Sequence, residues 1–143
     1  IMAYVKELLK SKGNQCLSVS ADETVFNALS KMIEHNIGSL LVTQEGKLLG
    51  LFTERDYVRK VVQGKYTFDN PVALFLSENF VFVSPNTTIQ DCMKLMTNER
   101  TRHLPVLEND ELLGIISIGD VVKAMITEKD ATIEQLEQYI FKG

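Results

Sequence analysis

Apolar positions along the chain change their period in a fixed order, and the order occurs twice. Leu17-Ser18-Val19-Ser20 alternates as a strand does. Val25, Phe26, Ala28, Leu29, Met32 and Ile33 then mark one face of a helix, which His35-Asn36-Ile37-Gly38 ends. Next, Ser39-Leu40-Leu41-Val42-Thr43 and Leu48-Leu49-Gly50-Leu51-Phe52 flank Gln44-Glu45-Gly46-Lys47, the pattern of a hairpin with a glycine turn. A second helix is predicted from about Arg55 to Val62. The later pass predicts a strand over 80–84 and a helix carrying Ile89, Cys92, Met93, Leu95 and Met96. Leu104-Pro105-Val106-Leu107, the turn Glu108-Asn109-Asp110-Glu111 and residues 112–116 form a second hairpin, with a helix from Gly119 onward. Thr88 and Asp91 have capping-box spacing, and Pro85 suits a helix entrance.

The two passes align without a gap: residues 17–62 match 81–126 at an offset of 64 positions. A helical crossover favours parallel pairing and a tight turn antiparallel pairing, so each half is expected to be β-α-β-β-α around a small mixed sheet, an α+β fold. Sequence division gives a first domain over 1–63 with a lead-in helix at Val5, a linker over 64–71, a second domain over 72–127 and a C-terminal helix over 128–143. That last helix carries an apolar stripe of Ile133, Leu136, Ile140 and Phe141, suited to packing on the body or joining two chains. Halves of about 64 residues bury little surface alone and are expected to fold against each other.

Bulk properties narrow the function. The chain has 143 residues, 45% of them hydrophobic and 24% charged, and no low-complexity tract. A net charge of −4 argues against nucleic acid as main partner, because that affinity needs clustered Lys and Arg. No apolar run reaches the ~20 residues of a membrane span. The opening residues lack a secretory pattern, so a cytoplasmic protein is expected. Cys16 and Cys92 are too few for a disulfide framework or a zinc site. Cys92 matches Ala28, which suggests a buried, inert thiol. No acid and base pair stands out, and Cys92 with His103 is the one conceivable nucleophile and base, so the chain is not expected to be an enzyme.

Three matches are not plain core: Gly50 with Gly114, Thr53 with Ser117, and Asp56 with Asp120. Thr53 and Ser117 fall where a strand ends and a helix begins. Unpaired N–H groups and the helix dipole draw phosphate to such a place, and a carboxylate three residues on can accept bonds from a ribose diol. Thr-x-x-Asp and Ser-x-x-Asp are equally capping boxes, which need no ligand. The two glycines suit either close approach of a ligand or a bulge. Arg55 at a helix start is set against the positive end of the dipole, and so points to an anion or an acidic neighbour.

Gly50-Leu51-Phe52-Thr53-Glu54-Arg55-Asp56, Arg102-His103-Leu104-Pro105-Val106 and Gly114-Ile115-Ile116-Ser117-Ile118-Gly119-Asp120, in tandem, resemble a pair of cystathionine-β-synthase-type (CBS) domains, a Bateman module. The resemblance covers nearly the whole chain. It implies two halves about a pseudo-twofold axis, with clefts for adenosine ligands such as AMP, ATP, NAD or S-adenosylmethionine. By the same resemblance Asp56 and Asp120 would hold ribose hydroxyls, and Thr53 and Ser117 would lie near phosphate. Gly38, Ser39, Leu40, His103, Leu104 and Pro105 would border the base, with Leu17 and Val81 covering it. Arg55 faces Gly119 in the alignment, and Arg102 and His103 face Gly38 and Ser39, so the two sites are expected to differ. The resemblance further implies a homodimer and a regulatory signal passed to another chain. A purely structural dimerisation module is the alternative.

Overall fold

The computed structural model describes residues 3–12, 17–64, 66–76 and 80–142. Its elements follow the order α1 (Val5–Lys12), β1 (Ser18–Ser20), α2 (Val25–Glu34), β2 (Ser39–Gln44), β3 (Lys47–Thr53), α3 (Glu54–Val62), a 3-10 turn (Val72–Phe75), α4 (Ile89–Glu99), β4 (His103–Glu108), β5 (Glu111–Ser117) and α5 (Ile118–Lys142). The α+β class is present; the β-α-β-β-α order is complete in the first repeat, while the second holds α-β-β-α with a two-stranded antiparallel sheet. The chain separates into two compact units. One comprises Ile1–Gln15, Val81–Asn109 and Leu113–Gly143; the other comprises Cys16–Phe80 and Asp110–Leu112.

The first repeat holds a three-stranded mixed sheet in which β1 pairs parallel to β2, and β2 antiparallel to β3. Its hairpin turns through Glu45 and Gly46 with φ of 52° and 79°, the two positive values of a type I′ turn. Asn109 and Asp110, at 52° and 65°, make the matching turn in the second repeat. A bulge leaves Leu49 unpaired beside Gly50, since Val42 faces Gly50 while Thr43 faces Leu48. The bulge therefore accounts for a glycine in this strand.

In the second repeat the expected strand over 80–84 shrinks to one parallel bridge between Val83 and Val106. The cause is proline. In the first repeat Leu41 N donates to Leu17 O (3.3 Å) and Ala21 N to Thr43 O (3.1 Å). The residues matching Leu41 and Ala21 are Pro105 and Pro85, which have no N–H to donate. Only the middle bonds remain, Val83 N to Pro105 O (3.0 Å) and Leu107 N to Val83 O (2.9 Å).

Each unit has its own core. Val25, Ala28 and Met32 of α2 join Leu40, Val42 and Phe52, while Ile89, Cys92 and Met96 of α4 join Leu104, Val106 and Ile116. The buried stripe of α2 is narrower than the six apolar residues predicted, because Phe26 and Ile33 are exposed. Phe26 instead meets Phe68 edge-on, with ring centroids 6.1 Å apart.

The lead-in segments are exchanged between the repeats. Val5, Leu8 and Leu9 of α1 are buried in the core of the second repeat, where Val5 N donates to Thr87 O (2.9 Å) and Ile89 N to Ala3 O (3.0 Å). Val72 and Phe75 are buried in the core of the first, where Val72 N donates to Glu23 O (2.7 Å). Residues 5–12 thus belong by packing to the unit that contains Asp120. That placement shapes the site described next.

Candidate functional site

In the first repeat, sheet register brings the candidates together. Ser39 pairs with Thr53 and Leu40 with Phe52, and Leu17 lies one residue before the Ser18–Leu41 pair, so all gather at one end of the sheet. Thr53 caps α3: its extended backbone (φ −120°, ψ 161°) aims the hydroxyl at the first helical turn. Asp56 N donates to Thr53 Oγ1 (3.1 Å), while Asp56 Oδ2 accepts from Thr53 N (3.0 Å) and Thr53 Oγ1 (2.9 Å). Asp56 is buried despite its charge, at 6% exposure. Ser39 and Leu40 are buried beside it, and Gly38 O accepts from Glu54 N (3.2 Å), tying the loop to the helix start. Arg55 points into solvent, as a residue on the outer face of the first helical turn does.

The second repeat builds the same turn from other residues. Asp120 N donates to Ser117 Oγ (3.2 Å), and Asp120 Oδ2 accepts from Ser117 N (2.9 Å). Ile118 N donates to Arg102 O (2.9 Å), the counterpart of the bond from Glu54 to Gly38. His103 is half-buried, Leu104 and Pro105 are buried, Val81 packs at the core edge, and the Arg102 side chain is exposed.

One residue in this turn was not singled out in the sequence. The exchanged α1 ends at Lys12, whose Nζ lies 2.7 Å from Asp120 Oδ2 and donates to Ile115 O at 3.0 Å. The repeat offset could not have revealed it, since the gapless alignment covers only residues 17–62 and 81–126. Burial resists ionisation of Asp120, but bonds from Lys12 and the Ser117 backbone outweigh it and hold the carboxyl below its ordinary range. His103 is pushed the other way for a base: burial, then the charges of Lys12 and Arg102, lower its pKa against the opposing pull of Asp120. That shift favours the uncharged ring.

Cys92 is fully buried, and burial followed by the charge of Asp91 raises its thiol pKa to about 11. A thiol held protonated is a poor nucleophile, which weighs against the Cys92–His103 pairing. Cys16 lies outside the described residues. A cavity of about 550 Å³ is lined by Ser20, Ala21, Asp22, Thr43, Gln44, Glu45, Pro71 and Ala73. It opens at the other end of the β1–β2 pair from Ser39 and contains none of the candidates.

Comparison with known proteins agrees with the repeat. The family model for the CBS domain matches residues 5–63 and 72–127. The CBS domain-containing protein CBSX3, mitochondrial, of Arabidopsis thaliana is 37% identical over 97% of this chain and 72% of its own length. The crystal structure of the CBS-domain containing protein ATU1752 from Agrobacterium tumefaciens is 43% identical, with a TM-score of 0.79 over 85% of this chain and 98% of that one. A more distant fold neighbour is the CBS domain protein PAE2072 from Pyrobaculum aerophilum complexed with AMP, 22% identical with a TM-score of 0.72 over 82% of this chain and 88% of that one.

Proposed function

The chain belongs to the CBS-domain family, and from that premise we propose that it is a regulatory module that binds an adenosine nucleotide and passes the result to other chains. The observation that carries this reading is the same strand-to-helix turn built twice, with Asp56 and Asp120 held rigidly by their own N-caps. Capping does not compete with this role. The Ser117 N–H and the Lys12 ammonium both converge on Oδ2 of Asp120, and a carboxylate accepts about four bonds in all. The cap fixes the Asp120 carboxylate in place, and a ribose hydroxyl can bond its other oxygen. AMP or NAD is the favoured ligand, with ATP and S-adenosylmethionine in the same class.

Differential affinity for two arrangements of the protein is what would turn binding into a signal. A homodimer forms part of the proposal. Ile118, Val122, Ile126, Ile133 and Leu136 lie exposed along α5 at helical spacing, a stripe suited to a second copy; the side chains of Ile140 and Phe141 lie outside those described. Among the described residues no helix is long and apolar enough to cross a membrane, and the cytoplasm remains the expected compartment. Native mass spectrometry of the chain purified without added nucleotide, alongside thermal shifts with AMP, ATP, NAD and S-adenosylmethionine, tests the reading. A co-purified adenosine compound or a concentration-dependent shift supports it. No adduct and no shift with any of the four leaves only the structural module.

A further inference from the structure

We infer that Lys12 makes the second turn selective for ligands that carry their own anionic group, an inference that rests on the nucleotide reading above. The Lys12 ammonium is placed by the fold: three buried residues of α1 pin the helix to this unit, and Nζ reaches both Asp120 Oδ2 (2.7 Å) and Ile115 O (3.0 Å). A ribose hydroxyl bonded to the other oxygen of the Asp120 carboxylate draws on its charge and weakens the hold of Oδ2 on this cation. A ligand that draws Lys12 away separates the ammonium from the carboxylate with which it forms its ion pair. A neutral nucleoside gives that ammonium nothing in return. A nucleotide does, because a phosphate attached to the same ribose can receive the displaced ammonium in a charge-assisted hydrogen bond. Lys12 is thus a specificity-determining residue at one of two otherwise related turns.

Isothermal titration of the full chain with AMP and with adenosine tests this, read as the ratio of their affinities. The wild-type chain should prefer AMP. Lys12→Met and Lys12→Gln should lower the ratio about tenfold, the worth of one hydrogen bond to a charged group. Lys12→Arg should keep it, and so should Lys10→Met, which removes an exposed charge two residues away. A ratio unchanged in both Lys12→Met and Lys12→Gln overturns the inference, as does an equal fall in Lys10→Met, which would mean only general attraction. If the wild-type chain binds other adenosine ligands but neither AMP nor adenosine, this inference fails and the nucleotide reading stands. If it binds none, both fail.

Discussion

Replacing Asp56 with alanine should destabilise the unliganded protein more than replacing Asp120, although the two occupy matched positions. Asp56 is 6% exposed, and its Oδ2 satisfies both the Thr53 N–H and the Thr53 hydroxyl. Truncation removes two bonds to a charged acceptor and a favourable charge at the start of α3, and leaves a half-buried N–H unpaired. Such bonds are worth about 1.5–3 kcal/mol each but overlap here, so the expected loss is about 3 kcal/mol, or roughly 10 °C in Tm for a chain of this size. The Asp120 side chain is 27% exposed; its truncation costs one backbone bond and a half-exposed ion pair with Lys12, about 1.5 kcal/mol after solvent screening. Urea unfolding of both variants without ligand, followed by circular dichroism, measures the order directly. Equal losses, or a larger loss for Asp120→Ala, would refute the claim that burial and the second Thr53 bond set the difference.

Other outcomes follow from the same geometry. Because His103 titrates below its ordinary value, the unfolded chain takes up its proton first as pH falls; stability should therefore drop as pH is lowered below about 6.5, and His103→Gln should flatten that slope in thermal melts from pH 7.5 to 5. In a Cys16→Ser background, Cys92 should resist iodoacetamide at pH 7.5 in the folded protein and react readily in denaturant, and fast labelling of the folded chain would contradict its burial. Leu136→Glu should turn a dimer into a monomer in light scattering, while an unchanged mass would remove α5 from the proposed interface. Pro105→Leu restores the N–H that Leu41 supplies in the first repeat, so the amide at 105 should be protected from hydrogen exchange if proline is what shortens that sheet.

Much of this architecture is legible in the sequence because period reports local structure. The change from alternation to helical spacing, the Glu45-Gly46 and Asn109-Asp110 turns, and the Thr53 and Ser117 caps are local features, and each forms where the pattern places it. Non-local consequences are harder to read. Pro105 looks compatible with a strand, and only the neighbour across the ladder shows that its missing N–H faces Val81. The exchange of lead-in helices depends on which core receives Val5, Leu8 and Leu9, and both repeats offer apolar surface to a helix of that pattern. For that reason the sites at Asp56 and Asp120 are recognisable from spacing alone, whereas Lys12 is not. The difference expected between the two turns came from Arg55, Arg102 and His103; Lys12 adds a cation bonded directly to one of the two aspartates.

The central claim is that two aspartates at strand-to-helix turns hold an adenosine ligand, and the direct measurement is calorimetric titration of the wild-type chain and of an Asp56→Asn, Asp120→Asn double variant. Asparagine retains an oxygen that can accept the capping bond from Thr53 or Ser117, so the fold should survive; circular dichroism confirms this before titration. The account predicts saturable heat for at least one of AMP, ATP, NAD and S-adenosylmethionine with the wild-type chain, and its loss in the folded double variant. Undiminished binding by that variant, or no heat from the wild-type chain with any of the four at millimolar concentration, would contradict it.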